Sequence, residues 1–579
     1  MENYSFVHLK KNLKKDMSDM KKIKIAILGN CSTQHLATAL NGYGYEEKYN
    51  FEVYDADYNQ IDGEVFDNES ELYKFAPEFI LFYMCAEKLY EDFVKMDASL
   101  RDKFAENIIN KIETYWKTIN SKISTNILQL NFVEIDDRVL GNYSNKLSIS
   151  YIYQIRKLNL LLMELTCKTK NAFVIDLNNI QSVYGRKELF DDKLYYIAKM
   201  PISLNMLPEV AKQITDVIKS LTGKFKKCII LDLDNTLWGG VIGDDGINSI
   251  QIGELGLGHA YSDFQTWLKE LKNRGIILAI CSKNNEQIAK EPFEKHPEMV
   301  LRLEDISMFV ANWEDKASNI KYIQETINIG MDSIVFIDDN PFERNLVKSM
   351  IPEITVPELP EDPAEYLTYL KSLNLFETAS YSENDKDRTK QYQAEVGREN
   401  MKNNFNDFNE YLKSLDMVAT VHEFNDFEIP RLSQLTQRSN QFNLRTIRYT
   451  EAEIEAIAKD NDFITLSFHL KDKFGDYGLI SLVIMKKIDE KTLFIDSWLM
   501  SCRVLKRGME EFIINNVIEK AKKEGYKKVI GEYIKTPKNS MVEKIYSKLG
   551  FNDLGNCTFE AIIDSFNYNT TNIQTKNEK

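Results

Sequence analysis

Short strand-like apolar runs alternate along the chain with longer stretches in which apolar residues recur every three or four positions. The first runs occupy residues 23–28, 79–84, 126–130 and 173–176. Such alternation predicts βαβ units and a parallel sheet, here over residues 23–221. A second series at 228–232, 276–281 and 333–338 predicts another α/β domain over 222–357. A polar, charged stretch of helical character follows at 358–415, read as a connector. From 416 to 567 the pattern shifts to strand-like runs, at 463–468, 479–485 and 493–496, then helix, strand and a closing helix, which predicts an α+β domain. Phe6, Leu9, Leu13, Met17 and Met20 lie at helical spacing among lysines, so residues 1–22 read as an amphipathic helix docked on the first domain. The last stretch, 568–579, is rich in Asn, Thr and Lys and reads as disordered. The fold class expected is therefore multidomain α/β, and no internal repeat is evident.

Length and composition narrow the functional classes. A chain of 579 residues with 43% hydrophobic and 28% charged residues supports several sizeable cores. No apolar run approaches the ~20 residues of a membrane span, so no membrane partner is expected. The formal charge of -15 argues against the broad basic surface that nucleic-acid binding requires, while leaving room for local basic patches, so no nucleic-acid partner is expected. The seven cysteines are scattered without CxxC spacing, which suggests neither a disulfide framework nor a zinc site and fits a reducing cytoplasm.

The chemistry gathers in the second domain. Ligands in open parallel sheets collect at the carboxyl ends of strands, and each of the three runs ends there in polar residues. The first ends in Asp232-Leu233-Asp234-Asn235-Thr236. After a sharp bend, Asp232 can attack phosphorus while Asp234 manages the leaving group's proton and Thr236 orients the nucleophile. Attack by a carboxylate on a phosphate dianion requires positive charge. Asp338 and Asp339, ending the third run, offer hard oxygen ligands for Mg2+ alongside Asp232 and the backbone carbonyl of Asp234. Ser282, ending the second run, can hydrogen-bond the phosphoryl oxygens, and Lys316 can neutralise them.

In order and spacing these residues resemble the haloacid dehalogenase (HAD) superfamily. The longer string from Leu231 to Gly246, with Ser282-Lys283-Asn284 and Ile337-Asp338-Asp339-Asn340-Pro341, looks like its FkbH-like subfamily, and the likeness extends over nearly the whole chain. The resemblance implies a HAD-like Rossmannoid domain in an enzyme that takes 1,3-bisphosphoglycerate, removes phosphate and delivers a glyceryl group to the phosphopantetheine thiol of an acyl carrier protein. A HAD phosphatase fused to an N-acyltransferase acting on an amino sugar or similar amine is the alternative. A non-enzymatic scaffold is a second alternative, which the intact residue set disfavours.

The third domain carries Ser501-Cys502-Arg503-Val504-Leu505-Lys506-Arg507-Gly508-Met509 before a helix, and later Ile545-Tyr546-Ser547-Lys548-Leu549-Gly550-Phe551. The latter resembles the closing segment of GNAT acetyltransferases. That resemblance implies a GNAT-like acyltransferase domain whose cradle at Arg503, Val504, Lys506, Arg507 and Gly508 holds the phosphopantetheine of a carrier protein or an acyl-CoA. It also implies that Asn539 lies near the pantetheine arm and that Tyr546 serves as general acid near the thiol. Lys506 stands where the pattern has glycine, and this favours a carrier over coenzyme A. Cys502 is a candidate for a transient glyceryl thioester; Cys281, inside a buried run, is a weaker one.

The first domain places Gly29-Asn30-Cys31-Ser32-Thr33-Gln34 after a strand, where SGNH-type esterases keep their nucleophile. The resemblance implies an SGNH or flavodoxin-like fold. No Asp-x-x-His follows; Asp191-Asp192-Lys193-Leu194-Tyr195 stands in its place, and this points to a binding role over hydrolysis.

Overall fold

The computed structural model describes residues 4–381, 383–402, 405 and 407–576. They form two compact units, 2–219 and 220–579.

In the first unit five parallel strands, β1 (Lys21–Gly29), β2 (Tyr49–Asp55), β3 (Phe79–Tyr83), β4 (Asn126–Leu130) and β5 (Ala172–Ile175), lie in the order β2-β1-β3-β4-β5. This is the flavodoxin-like doubly wound order. β3 is buried along its whole length, as expected of a central parallel strand covered on both faces. The N-terminal helix is shorter than its periodicity suggests, Phe6–Asn12. Leu9 is fully buried while Leu13 stays exposed. The helix docks on Gln34–Glu46 at Gly42, where a Cβ would stand 2.2 Å from the Leu9 carbonyl oxygen. Asn12 closes the contact by donating to Gly42 O at 3.1 Å.

The second unit contains two sheets. β6 (Cys228–Leu231), β7 (Ile277–Ser282), β8 (Met308–Ala311) and β9 (Ile334–Ile337) are parallel in the order β8-β7-β6-β9. Alternate residues face opposite layers. Ile229 and Leu231 join one core with Phe264 and Leu268, whereas Cys228 and Ile230 join another with Ile320 and Ile323. The connector packs on both layers, Tyr366 and Leu370 on the first and Tyr392 on the second.

The other sheet contains β10 (Val418–His422), β11 (Phe442–Asn443), β12 (Phe463–Asp472), β13 (Gly475–Asp489), β14 (Thr492–Met500), β15 (Lys528–Glu532), β16 (Asn552–Gly555), β17 (Thr558–Ile562) and β18 (Gln574–Thr575). Their order is β16-β17-β15-β14-β13-β12-β10-β18, with β11 on β14. β14 and β15 pair in parallel only as far as Ile495 and Gly531. Beyond that the sheet opens, and residues 442–444 fill the opening: Leu444 N donates to Trp498 O at 3.2 Å and Ile534 N donates to Leu444 O at 2.8 Å.

The tail corrects the expectation of disorder over 568–579 as far as residue 576. β18 pairs with β10, Ile573 is buried, and Thr571 Oγ1 donates to Gly508 O at 3.0 Å. Residues 577–579 lie outside the described residues.

Candidate active site

β6 sits between β7 and β9, so the carboxyl ends of three strands converge on one point. Asp232 follows β6 directly, and its amide donates to Ile337 O of β9 at 3.0 Å. The chain then turns through Asn235 at φ +53°, a left-handed conformation that asparagine tolerates. Asn235 Oδ1 holds the turn by accepting from Gly240 N at 2.9 Å.

The carboxylates of Asp232, Asp338 and Asp339 each present an oxygen within 4.8 Å of the other two. Lys316, the first residue of the helix Lys316–Ile327, reaches them from the end of the loop after β8. Its ammonium lies 2.9 Å from Asp232 and 2.6 Å from Asp338. Burial disfavours the Lys316 charge, but Asp232 and Asp338 outweigh it and raise its pKa. Burial and the adjacent Asp232 push Asp338 up to about 6, and the same two causes raise Asp339. Three acids facing one lysine leave an uncompensated negative charge in a largely buried site, and the donors are all hard oxygens. This arrangement fits a divalent cation such as Mg2+.

Asp234 is fixed by three donors: Trp238 Nε1 at 3.0 Å, Ile242 N at 2.9 Å and Asn284 Nδ2 at 2.7 Å. Thr236 is fully buried and braces Asp339: the Asp339 amide donates to Thr236 Oγ1 at 3.1 Å, and the hydroxyl lies 3.3 Å from the Asp339 carboxylate. Its partner is thus Asp339 rather than Asp232. Ser282 is buried at the end of β7, where Asn284 Nδ2 lies 3.5 Å from its hydroxyl.

Several supporting residues escaped the sequence reading. Asn284 and Trp238 orient Asp234. Arg344 donates to the carbonyls of Asp338 at 2.8 Å and Asp339 at 2.6 Å, fixing the acidic loop. Lys283 pairs with Glu343 at 2.6 Å. Only their place in the strings after β6, β7 and β9 could have marked them.

The expected pantetheine cradle is built differently. Arg503 is buried, with Nε 3.2 Å from Ser501 Oγ and Nη1 on Gln391, while Arg507 pairs with Glu395 and Tyr477. Both guanidinium groups thus face the connector helix Arg388–Lys402 or the sheet. Val504 is fully buried. Lys506 adopts φ +60° and its amide donates to Glu510 Oε1 at 3.0 Å, so a carboxylate already occupies the turn before Met509–Lys523. Gly508, at φ +80°, starts that helix.

Asn539 is fully buried and occupied with backbone: it donates to Asn443 O and Ile534 O, each at 2.9 Å, and accepts from Thr536 N at 2.8 Å. Tyr546 is 1% exposed and packed among Trp498, Phe551 and Phe559. Burial raises its hydroxyl pKa, and a Cβ on Gly531 would lie 2.7 Å from the oxygen. It is a core tyrosine and lacks the access a general acid needs. Cys502 is partly exposed in a cavity of about 190 Å³, while Cys281 is buried with burial raising its thiol pKa.

In the first unit, Ser32 Oγ donates to Gln34 Oε1 at 2.5 Å, His35 stacks on Phe6, and Asp191 accepts from Leu194 N at 2.9 Å as a helix cap. Each group serves local structure, and the three do not join into a relay.

Residues 24–219 match the family described as FkbH, N-terminal domain. No curated protein matches the chain. Among solved structures, the N-terminal part of BF1531 from Bacteroides fragilis, containing a phosphatase domain complexed with Mg, is 47% identical with a TM-score of 0.63, covering 65% of this chain and 100% of that one. The ribosomal-protein-S18-alanine N-acetyltransferase of Escherichia coli is 12% identical (TM-score 0.21; 25% of this chain, 94% of that one), and the spermidine N-acetyltransferase of Vibrio cholerae 13% (0.21; 25% and 96%). With 47% identity across the whole of the Bacteroides structure, the chain belongs to the family of BF1531, its first unit carrying an FkbH-type N-terminal domain.

Proposed function

We propose that residues 220–579 carry a Mg2+-dependent phosphatase centre of HAD type. The observation that supports it most is the convergence of Asp232, Asp338 and Asp339 within 4.8 Å, with Lys316 on two of them. Bound Mg2+, held by these carboxylates, would supply positive charge to offset the repulsion between nucleophile and phosphate. Asp232 attacks phosphorus through its free carboxylate oxygen, forming an aspartyl phosphate and breaking the bond to the leaving oxygen. Asp234, oriented by Trp238, Ile242 and Asn284, protonates that oxygen. It then takes a proton from the water that releases phosphate and regenerates Asp232. Lys316 neutralises phosphoryl oxygens, and Ser282 hydrogen-bonds them. The BF1531 phosphatase domain in its Mg complex lends support to this reading.

The finer proposal, supported by the FkbH-type first unit, is that the substrate is 1,3-bisphosphoglycerate and the acceptor the phosphopantetheine thiol of a carrier protein. Because Glu510 occupies the turn at Lys506, the carrier's thiol is proposed to enter without a pyrophosphate clasp at residues 504–508. The test is intact-mass spectrometry of a phosphopantetheinylated carrier incubated with the enzyme, Mg2+ and freshly generated 1,3-bisphosphoglycerate. A phosphate-free glyceryl adduct that vanishes with Asp232→Asn supports the full reading. Mg2+-dependent phosphate release with unmodified carriers retains the phosphatase and rejects the glyceryl route.

A further inference from the structure

The cavity of about 190 Å³ in the second unit lies between the parallel sheet and the acyltransferase-like sheet. Lys227 immediately precedes β6, and Asp332 and Ser333 precede β9, so the cavity touches the amino ends of the strands whose carboxyl ends carry the catalytic acids. Four residues of β6 separate the two places, roughly 13 Å at ~3.3 Å per residue. The cavity is therefore distinct from the phosphatase centre.

Its lining is strongly cationic: Lys227, Arg388, Arg431, Arg438, Arg503 and Lys538, with Asp332 the lining's carboxylate. Asp332 pairs with Lys538, and Asp385, behind the wall, pairs with Arg388 at 2.8 Å and Arg438 at 2.6 Å. The other three cations are held by neutral groups among the described residues. Lys227 donates to Arg438 O at 2.8 Å, Arg431 to Gln434, and Arg503 to Gln391 and Ser501. Arg503 is buried while Lys227 and Arg431 are half-buried, and cations withdrawn from water without counter-charges are costly. Burial, reinforced by Arg388, Arg503 and Arg438, depresses the Arg431 pKa. Ile329, Leu435 and Met500 add an apolar part to the wall, beside the polar Ser439, Asn440 and Gln441.

We propose that this cavity is a binding site for a small phosphomonoester or free phosphate, its dianion held by Arg431, Arg503 and Lys227. A guanidinium fork matches phosphate oxygens geometrically, and more than one negative charge is needed to balance three unpaired cations. The ligand's place is apart from the catalytic carboxylates, so the proposal stands whether or not the phosphatase reading does.

The test is isothermal titration of the full chain, in EDTA to silence the metal-dependent centre, with inorganic phosphate, 3-phosphoglycerate and 4′-phosphopantetheine as probes, in the wild type and in Arg431→Gln. Binding that weakens at least tenfold in Arg431→Gln supports the site. Tighter binding of an ester than of inorganic phosphate assigns the apolar wall to the ligand's organic part, and the reverse assigns free phosphate. No binding by the wild type, or equal binding by both chains, overturns the proposal. If Arg431→Gln does not fold, a crystal structure of the wild type with inorganic phosphate decides: phosphate density between Arg431 and Arg503 supports the site, and phosphate found only beside Lys316, or none, overturns it.

Discussion

Lys316 Nζ lies 2.6 Å from the fully buried carboxylate of Asp338, and this pair binds the helix Lys316–Ile327 to the loop after β9. The same ammonium reaches Asp232 at 2.9 Å. Removing it leaves buried carboxylates facing one another. Lys316→Met is expected to cost about 3–5 kcal/mol of stability, the range for breaking a buried ion pair. Saturating Mg2+ should restore part of that loss by supplying positive charge to the same acids. Urea unfolding with and without Mg2+ checks both, and a variant as stable as the wild type without Mg2+ would sink the account.

Asn284 is a positioning residue: it touches Asp234 at 2.7 Å and lies 3.5 Å from Ser282. Asn284→Ala should lower kcat for phosphomonoester hydrolysis about 10- to 100-fold, the usual scale for losing a supporting contact, with little change in the melting temperature. KM should stay near that of the wild type, because the contact orients Asp234 rather than holding substrate. A variant with unchanged kcat, or one whose loss appears in KM instead, would refute the positioning role.

The N-terminal helix rests on the absence of a side chain at Gly42, where a Cβ would stand 2.2 Å from the backbone of Leu9. Backbone cannot yield as a flexible side chain can. Gly42→Ala should therefore destabilise the first unit by about 1–3 kcal/mol, as overpacking does, and should open residues 13–20 to limited proteolysis. Cleavage kinetics equal to the wild type's would refute it.

The centre was legible because its acids directly follow fully buried apolar runs, and burial on both faces suppresses other reasons for such runs to exist. Asp232 and Asp338 fall together once β6 lies beside β9, and Lys316 joins them from the start of the helix after β8. What the sequence hid depends on distant partners. Arg503 and Arg507 read as parts of a pantetheine cradle, yet Gln391 and Glu395 stand 112 positions earlier and draw them toward the connector helix. Tyr546 read as a possible acid, yet Gly531 leaves room for its ring within the core. The tail's polar composition masked Ile573, whose burial accompanies β18 onto the sheet.

The cavity between the two sheets carries a pH signature through Lys227. Burial, reinforced by Arg388, Lys538 and Arg438 against the opposite pull of Cys502, lowers its pKa to about 8. An unfolded lysine titrates near 10.4, so between these values the unfolded chain binds more protons than the folded one. Stability contributed through this group accordingly rises as pH climbs from about 8 toward 10.4, and below 8 the full penalty of the buried charge applies. Lys227→Met removes the penalty and keeps most of the packing. It should be more stable than the wild type by about 1–3 kcal/mol at pH 7, and the difference should shrink through pH 8–10. Comparing the two chains cancels the titration of tyrosines and cysteines elsewhere. Added inorganic phosphate should narrow the gap at pH 7 by stabilising the wild type more, since the bound anion balances the same charge. A gap that is independent of both pH and phosphate would show that Lys227 titrates alike in the folded and unfolded chains, and would refute the account.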